Sequence, residues 1–176
     1  MHSPFFQKEN ALEPCYKTFV SIGNAKQHFK RLLDAVHVHI HLLPQPILIQ
    51  RGHTPFESSI CAVVDFINMD KFVDYVAKAE ILILHAGAGS ILHAMRNKKR
   101  PIVMPRCKKY FEHVNDHQVA FARAIHSEGK IILIENESEL EFAVKKTSNS
   151  DPISCFEDAH SQGVDIIKNK IAQLMN

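Results

Sequence analysis

Residues 81–96, ILILHAGAGSILHAMR, constrain the fold more than any other stretch of the chain. Ile81 to Leu84 form an unbroken apolar run, which predicts a strand buried on both faces. The run stops at His85-Ala86-Gly87-Ala88-Gly89-Ser90, and helical spacing resumes with Ile91, Leu92 and Met95. A strand that turns through glycines into a helix leaves the first helical N–H groups unpaired and pointing outward. Those donors and the helix dipole favour an anion, commonly a phosphate. Glycine also occurs in such turns only because they are tight. Alone, the segment leaves phosphate contact and mere tightness equally open. It is not a Walker A loop, since no Gly-Lys-Ser/Thr follows, and Leu92 takes the third glycine place of G-x-G-x-x-G.

The remainder repeats the same alternation. Strands are predicted at Thr18–Ile22, Ile47–Gln50, Cys61–Phe66, Pro101–Met104 and Lys130–Ile134. Phe29, Leu32, Leu33, Val36, Ile40 and Leu43 keep one helical stripe, closed by Pro44 and Pro46. Further helices are expected at Asp70–Lys78, Ser90–Asn97, His117–Glu128, Glu137–Lys146 and Ile153–Met175. Such alternation predicts an α/β fold, a Rossmann-like parallel sheet with helices on both faces. Ligands on such sheets sit at the carboxyl ends of the strands. Gly23, Phe66, His85 and Pro105 fall at such ends. Residues 1–16 read as an N-terminal extension and 17–150 as the domain. Residues 151–176 read as a C-terminal helix that packs on the domain or docks a partner through Ile153, Phe156, Val164, Ile167, Ile171 and Leu174.

A formal net charge of +2 gives no electrostatic pointer to nucleic acid. Two basic runs, Arg96-Asn97-Lys98-Lys99-Arg100 and Arg106-Cys107-Lys108-Lys109, read first as a solvated helix end and loop. The sharper reading is a face toward anionic lipid or a membrane-bound partner. Cys15, Cys61, Cys107 and Cys155 form no C-x-x-C pair, a pattern that fits a reducing cytoplasm. No apolar run approaches the roughly 20 residues that cross a bilayer, and MHSPFFQKENALEP is not a secretion signal. His37, His39 and His41 alternate inside a helical pattern, so they spread around the helix instead of converging on a metal. HExxH is absent, and no metal site or cofactor is expected.

A second candidate site is Glu112-His113-Val114-Asn115-Asp116-His117-Gln118. Asn115 suits an N-cap, with Gln118 at the capping-box position. The functional alternative has this helix start hydrogen-bonding sugar hydroxyls.

HAGAGSILHAM, then PIVMPR, then NDHQVAFARAI, in that order, resembles the carboxy-terminal donor-binding domain of glycosyltransferase family 28. VSIGN is similar to the family's first strand and phosphate loop, ILIQRGHT to its second strand, and DFINMDKFVDYVAKAEILILHAGAGSI to its central block. The resemblance runs from about Thr18 to Glu135 and is strongest to single-domain members. Those are the catalytic subunit of the eukaryotic UDP-GlcNAc transferase of asparagine-linked glycosylation and bacterial exopolysaccharide and capsule subunits of the PssE/EpsH kind. It implies the donor-binding half of a GT-B fold. By position, Ile67 would meet uracil through its backbone. Gly23 and Asn24, with Gly87, Ala88, Gly89 and Ser90, would surround the diphosphate, and His117 and Gln118 would contact the donor sugar. Family members usually carry Glu or Asp where this chain has His93, to hold the ribose hydroxyls. The resemblance implies a subunit, cytoplasmic and peripheral at the inner face of a membrane. It would transfer a hexose from UDP-sugar to a lipid-linked acceptor in exopolysaccharide or capsule synthesis, beside a membrane-anchored acceptor-binding partner. Two alternatives are a non-catalytic partner that has lost donor binding and an unrelated nucleotide-binding module.

Overall fold

A computed structural model describes residues 14–148 and, in isolation, Asp165 and Asn169. Apart from those two residues, the helix expected at Ile153–Met175 lies outside the described residues, as do the first thirteen residues of the extension. Six parallel strands form one sheet in the order β3-β2-β1-β4-β5-β6. They are β1 Thr18–Ser21, β2 Ile47–Gln50, β3 Ala62–Val64, β4 Ile81–His85, β5 Ile102–Met104 and β6 Ile132–Leu133. The helices are α1 Lys30–Val38, α2 Met69–Lys78, α3 Ala88–Arg96, α4 His117–Ser127 and α5 Leu140–Ser148. The strand order reverses at β1, where β2 pairs on one side and β4 on the other with Thr18 opposite both Ile47 and Ile81. A crevice opens outside the carboxyl ends at such a reversal.

Strand periodicity decides which residues face which helices. Val20, Ile22, Ile47, Ile49, Ile81, Ile83, Ile102 and Met104 share one core with α1 and with Leu140, Ala143 and Val144 of α5. On the other face, Phe19, Leu48, Leu82 and Leu84 meet Phe72 and Val76 of α2 and Ala94 of α3. Val103 meets Ile91 and Met95 of α3 and Phe121, Ala122 and Ile125 of α4. Burial on both sides is why the strand centres are apolar, with Ser21, Gln50 and His85 at the carboxyl ends. Tyr16, within the expected extension, sets its ring edge-on against Tyr75 of α2 at 5.7 Å.

Two expectations are corrected. The stripe from Phe29 to Leu43 is not one helix: α1 ends at Val38 and Ile40–Leu42 is a 3₁₀ turn. His39 leaves the helical region (φ −102°, ψ 14°), and its Nδ1 pairs with the Ala35 carbonyl at 2.9 Å. The His39 N–H donates to the same carbonyl at 3.2 Å, so both the backbone and the ring of His39 meet Ala35. Arg106 is not part of a solvated loop: it is fully buried, and its role belongs to the site.

Candidate functional site

The β4–α3 turn is built around one imidazole. His85 ends β4, and its ring fills the space beside two glycines. A Cβ on Gly87 would sit 2.3 Å from His85 Nε2, and one on Gly23 would sit 2.6 Å from it. Gly23 also has φ +76°, the left-handed region that glycine enters freely. Both glycines are therefore required by the packing, whatever else they do. Gly89 differs: a Cβ there meets nothing within 4 Å, so its open side faces the cleft.

Helix α3 starts at Gly87 with no side-chain cap. Its first helical bond is Ile91 N–H to the Gly87 carbonyl at 3.1 Å. The amides of Ala88, Gly89 and Ser90 precede that bond and have no helical acceptor. They stand at the positive end of the helix dipole, beside the β1 turn.

That β1 turn is held by a relay from two buried polar groups, Ser21 and Gln50, to the exposed Asn24. Ser21 Oγ donates to Gln50 Oε1 at 2.7 Å, and Gln50 Nε2 donates to Asn24 Oδ1 at 2.8 Å. Gly23 N–H donates to Ser21 Oγ at 3.3 Å. Gln50, the last residue of β2, thereby fixes the Asn24 amide at the cleft. Behind the turn stands Arg106. Its Nη2 donates to the Ile22 carbonyl at 2.8 Å and its Nη1 to the Gln27 carbonyl at 2.7 Å. Its guanidinium lies 4.8 Å from the Phe29 ring centroid. Burial lowers its pKa to about 10, so it stays charged at neutral pH.

An open cleft of about 220 Å³ occupies the crevice. Gly23, Asn24, Ile67, Gly87, Gly89, Ser90 and His93 all line it, with Ser21, Gln50, Met69, Phe72 and His85. The structure thus brings together seven positions that the sequence had scattered over three segments. Ala88 is the first residue of α3 but is not in the lining. His93 is half-buried on α3, edge-on to the Phe72 ring at 6.0 Å. Burial and nearby Arg96 lower its pKa, which keeps the imidazole neutral.

His117 and Gln118 are not among the lining residues. The capping-box account of the second segment is also corrected. The helix begins at His117 after Asp116, which makes no side-chain cap bond. Asn115 Oδ1 accepts from the His117 N–H at 3.2 Å, and Gln118 Oε1 accepts from the Arg106 N–H at 3.2 Å. Tertiary contact with the β5 loop takes Gln118 away from its own helix end.

His85, Gln50 and Arg106 were not singled out as site residues. His85 carried a signal, its place at the end of a buried strand. Gln50 and Arg106 carried none, because their partners lie far away in sequence.

His85 gives the site a pH dependence. Burial, the charge of Arg106 and nearby His113 lower its pKa from 6.5 to about 4, with the Ser21 backbone partly offsetting them. Its Nδ1 is buried without a hydrogen-bond partner. Between those two pKa values the unfolded chain binds the proton that the folded chain excludes, so stability falls as pH drops through this window. Urea unfolding is expected to show a loss of about 2–3 kcal/mol between neutral pH and about pH 4.5. His85→Asn should remove most of that loss. An equal loss in the variant would assign it to other groups.

The fold, the reversal at β1 and the cleft beside it define an α/β domain of the type that forms one half of a GT-B glycosyltransferase. The chain belongs to the glycosyltransferase family 28 C-terminal domain family, whose model matches residues 22–170. Among solved structures, ALG13, determined by NMR, is 17% identical with a TM-score of 0.59, over 92% of this chain and 98% of that one. UDP-GlcNAc 2-epimerase from Methanocaldococcus jannaschii, solved with UDP-GlcNAc and UDP, is 14% identical with a TM-score of 0.60. That match covers 92% of this chain and 45% of the epimerase. The glycotransferase of kitacinnamycin is 15% identical with a TM-score of 0.57, over 99% of this chain and 43% of that one. At these identities the likeness is one of fold. The chain spans less than half the length of the last two proteins. No curated protein sequence matches it.

Proposed function

We propose that this chain is the nucleotide-sugar-binding subunit of a glycosyltransferase. It takes a UDP-sugar in the β1/β4 crevice and transfers the hexose to a lipid-linked acceptor, in exopolysaccharide or capsule synthesis. One observation carries the reading: two glycine turns and an uncapped helix N-terminus converge on one cleft with Asn24, Ile67 and His93. Membership of family 28 and the UDP-GlcNAc complex of the structurally similar epimerase support it.

The chemistry follows from the residues. Hexosyl transfer passes through an oxocarbenium-like state while the diphosphate leaving group gathers negative charge. The amides of Ala88, Gly89 and Ser90 and the α3 dipole are fixed where such charge would develop, so they stabilise it without reorganisation. No metal ion is needed in this scheme. Ile67 meets the base through its backbone, and His117 and Gln118 approach the donor sugar from the neighbouring β5–α4 segment. In this proposal a membrane-anchored partner supplies the acceptor half, as the resemblance to single-domain members of the family implies. Among the described residues no helix is long and apolar enough to cross a membrane.

Co-expression tests this scheme. Transfer from UDP-sugar to a lipid-linked acceptor is expected only when the membrane-anchored partner is present. Full transfer by the purified chain alone would overturn the two-subunit arrangement.

His93 favours a second reading. A neutral imidazole cannot make the charge-assisted pair with a ribose diol that a carboxylate makes, so the chain could instead be a non-catalytic partner. His93→Glu separates the two. Calorimetry should show UDP binding tightened by about 1 kcal/mol, roughly fivefold, if one charge-assisted hydrogen bond is gained. Unchanged or weaker binding would mean that the site is rebuilt around histidine or does not bind UDP.

A further inference from the structure

The loop joining β5 to α4 has its burial order inverted. Glu112 is 4% exposed, while Phe111 beside it is 87% exposed, Val114 68% and Tyr110 47%. Water-facing loops normally do the reverse. This inversion is held in place from below. The Glu112 carboxylate accepts from Arg31 Nε at 3.1 Å and Nη2 at 2.9 Å, and from the Cys107 N–H at 2.9 Å. Its carbonyl accepts from Arg106 Nη1 at 3.2 Å. The Lys108 N–H donates to Asp116 Oδ1 at 2.8 Å. Phe111 sits at φ 58°, a left-handed conformation that side-chain-bearing residues rarely adopt. A fixed base and an unfavourable backbone angle together keep the aromatic ring in solvent.

We propose that the tip of this loop, Lys108 to Val114, seats directly on an anionic lipid surface. The exposed charges decide the partner. Lys108 and Lys109 are exposed beside the apolar tip, and Lys109 Nζ lies 4.6 Å from the Tyr110 ring centroid. Of the nearby carboxylates, Glu112 is buried in its ion pair, and Asp116, exposed, accepts from the Lys108 N–H, which leaves two exposed ammonium groups against one exposed carboxylate. Cations beside a Phe, a Tyr and a Val match the headgroup boundary of an anionic bilayer: the rings enter the interface and the ammonium groups meet phosphates. The basic run at Arg96–Arg100 lacks this pairing with exposed aromatics and closes α3 at the other end of the helix. The loop leaves the carboxyl end of β5, the sheet edge that carries the cleft, so the contact would turn the cleft toward the bilayer. The value of that orientation for a lipid-linked acceptor rests on the proposed transfer; the lipid contact itself does not.

Vesicle flotation of the purified chain tests it, with phosphatidylcholine alone and with phosphatidylcholine doped with phosphatidylglycerol. The chain is expected to float with the anionic vesicles, to be released by salt, and to ignore the neutral ones. Phe111→Glu, and Lys108→Glu with Lys109→Glu, should each weaken flotation by about tenfold. Phe111→Gly should lose the lipid contact but keep or raise the unfolding temperature, because glycine accepts the left-handed region. Absence of flotation by the wild-type chain overturns the proposal. So does equal binding to neutral vesicles, or wild-type flotation of Phe111→Glu. Loss of a protein partner in Phe111→Glu without any lipid binding would make the tip a protein interface and also overturns it. A UDP titration of the same samples keeps the two claims apart. Flotation without UDP binding sinks the transfer reading alone, and UDP binding without flotation sinks the lipid contact alone.

Discussion

Gly89→Val yields a folded chain that no longer binds UDP. The residue is the second of α3 and has no heavy atom within 4 Å of its would-be Cβ, so nothing in the protein resists a side chain there. Helix propensity favours valine slightly over glycine, and the unfolding midpoint should hold or rise a little. In the proposed complex the added isopropyl group occupies the space of the diphosphate. Affinity should drop by at least about a hundredfold, or about 2.7 kcal/mol. The neighbouring glycines are poorer probes. An alanine at Gly87 or Gly23 must displace the His85 ring, so lost binding there would be confounded with lost packing. A folded Gly89→Val protein with an unchanged UDP isotherm would remove the diphosphate from this turn.

Glu112→Ala is expected to destabilise the fold by about 3–5 kcal/mol, the range for breaking a buried ion pair from one side. The side chains of Glu112 and Arg31 are only 5% and 12% exposed. Without the carboxylate, Arg31 keeps the Glu135 and Pro105 carbonyls at 2.7 and 2.9 Å, but its charge has no counter-ion in that pair. The Cys107 N–H also loses its acceptor. Urea unfolding should show the loss as a lower midpoint at unchanged slope. A loss below about 1 kcal/mol would mean that water reaches Arg31 readily and that the loop is not held as described.

The sheet was legible because its signal is local and repeated. Each apolar run between turn residues became a strand, and every connection was long enough for a parallel crossover. The crevice was legible for a related reason. Glycines announce places where a Cβ cannot fit, and Gly23 and Gly87 both proved to be such places. What they accommodate was not legible, since the His85 ring reaches Gly23 from β4, the neighbouring strand in the sheet but distant in sequence. Arg106 read as one member of a basic run. It is instead the buried tie between the β5 and β1 loops, through an acceptor 84 residues away in sequence. Periodicity carries no information on such a pairing. Gln118 shows the converse: a sound local account, the capping box, yields to a contact with Arg106 that only the assembled fold supplies. The break in α1 at His39 was hidden differently, because the apolar stripe runs on unbroken through the 3₁₀ turn at Ile40–Leu42.

The central claim is that the β1/β4 crevice holds a uridine diphosphate. Calorimetric titration of the purified chain with UDP, and separately with ADP, addresses it most directly. The account predicts saturable one-to-one binding of UDP, tighter than that of ADP by at least about tenfold, or about 1.4 kcal/mol. No heat with UDP, or equal or tighter binding of ADP, would contradict it.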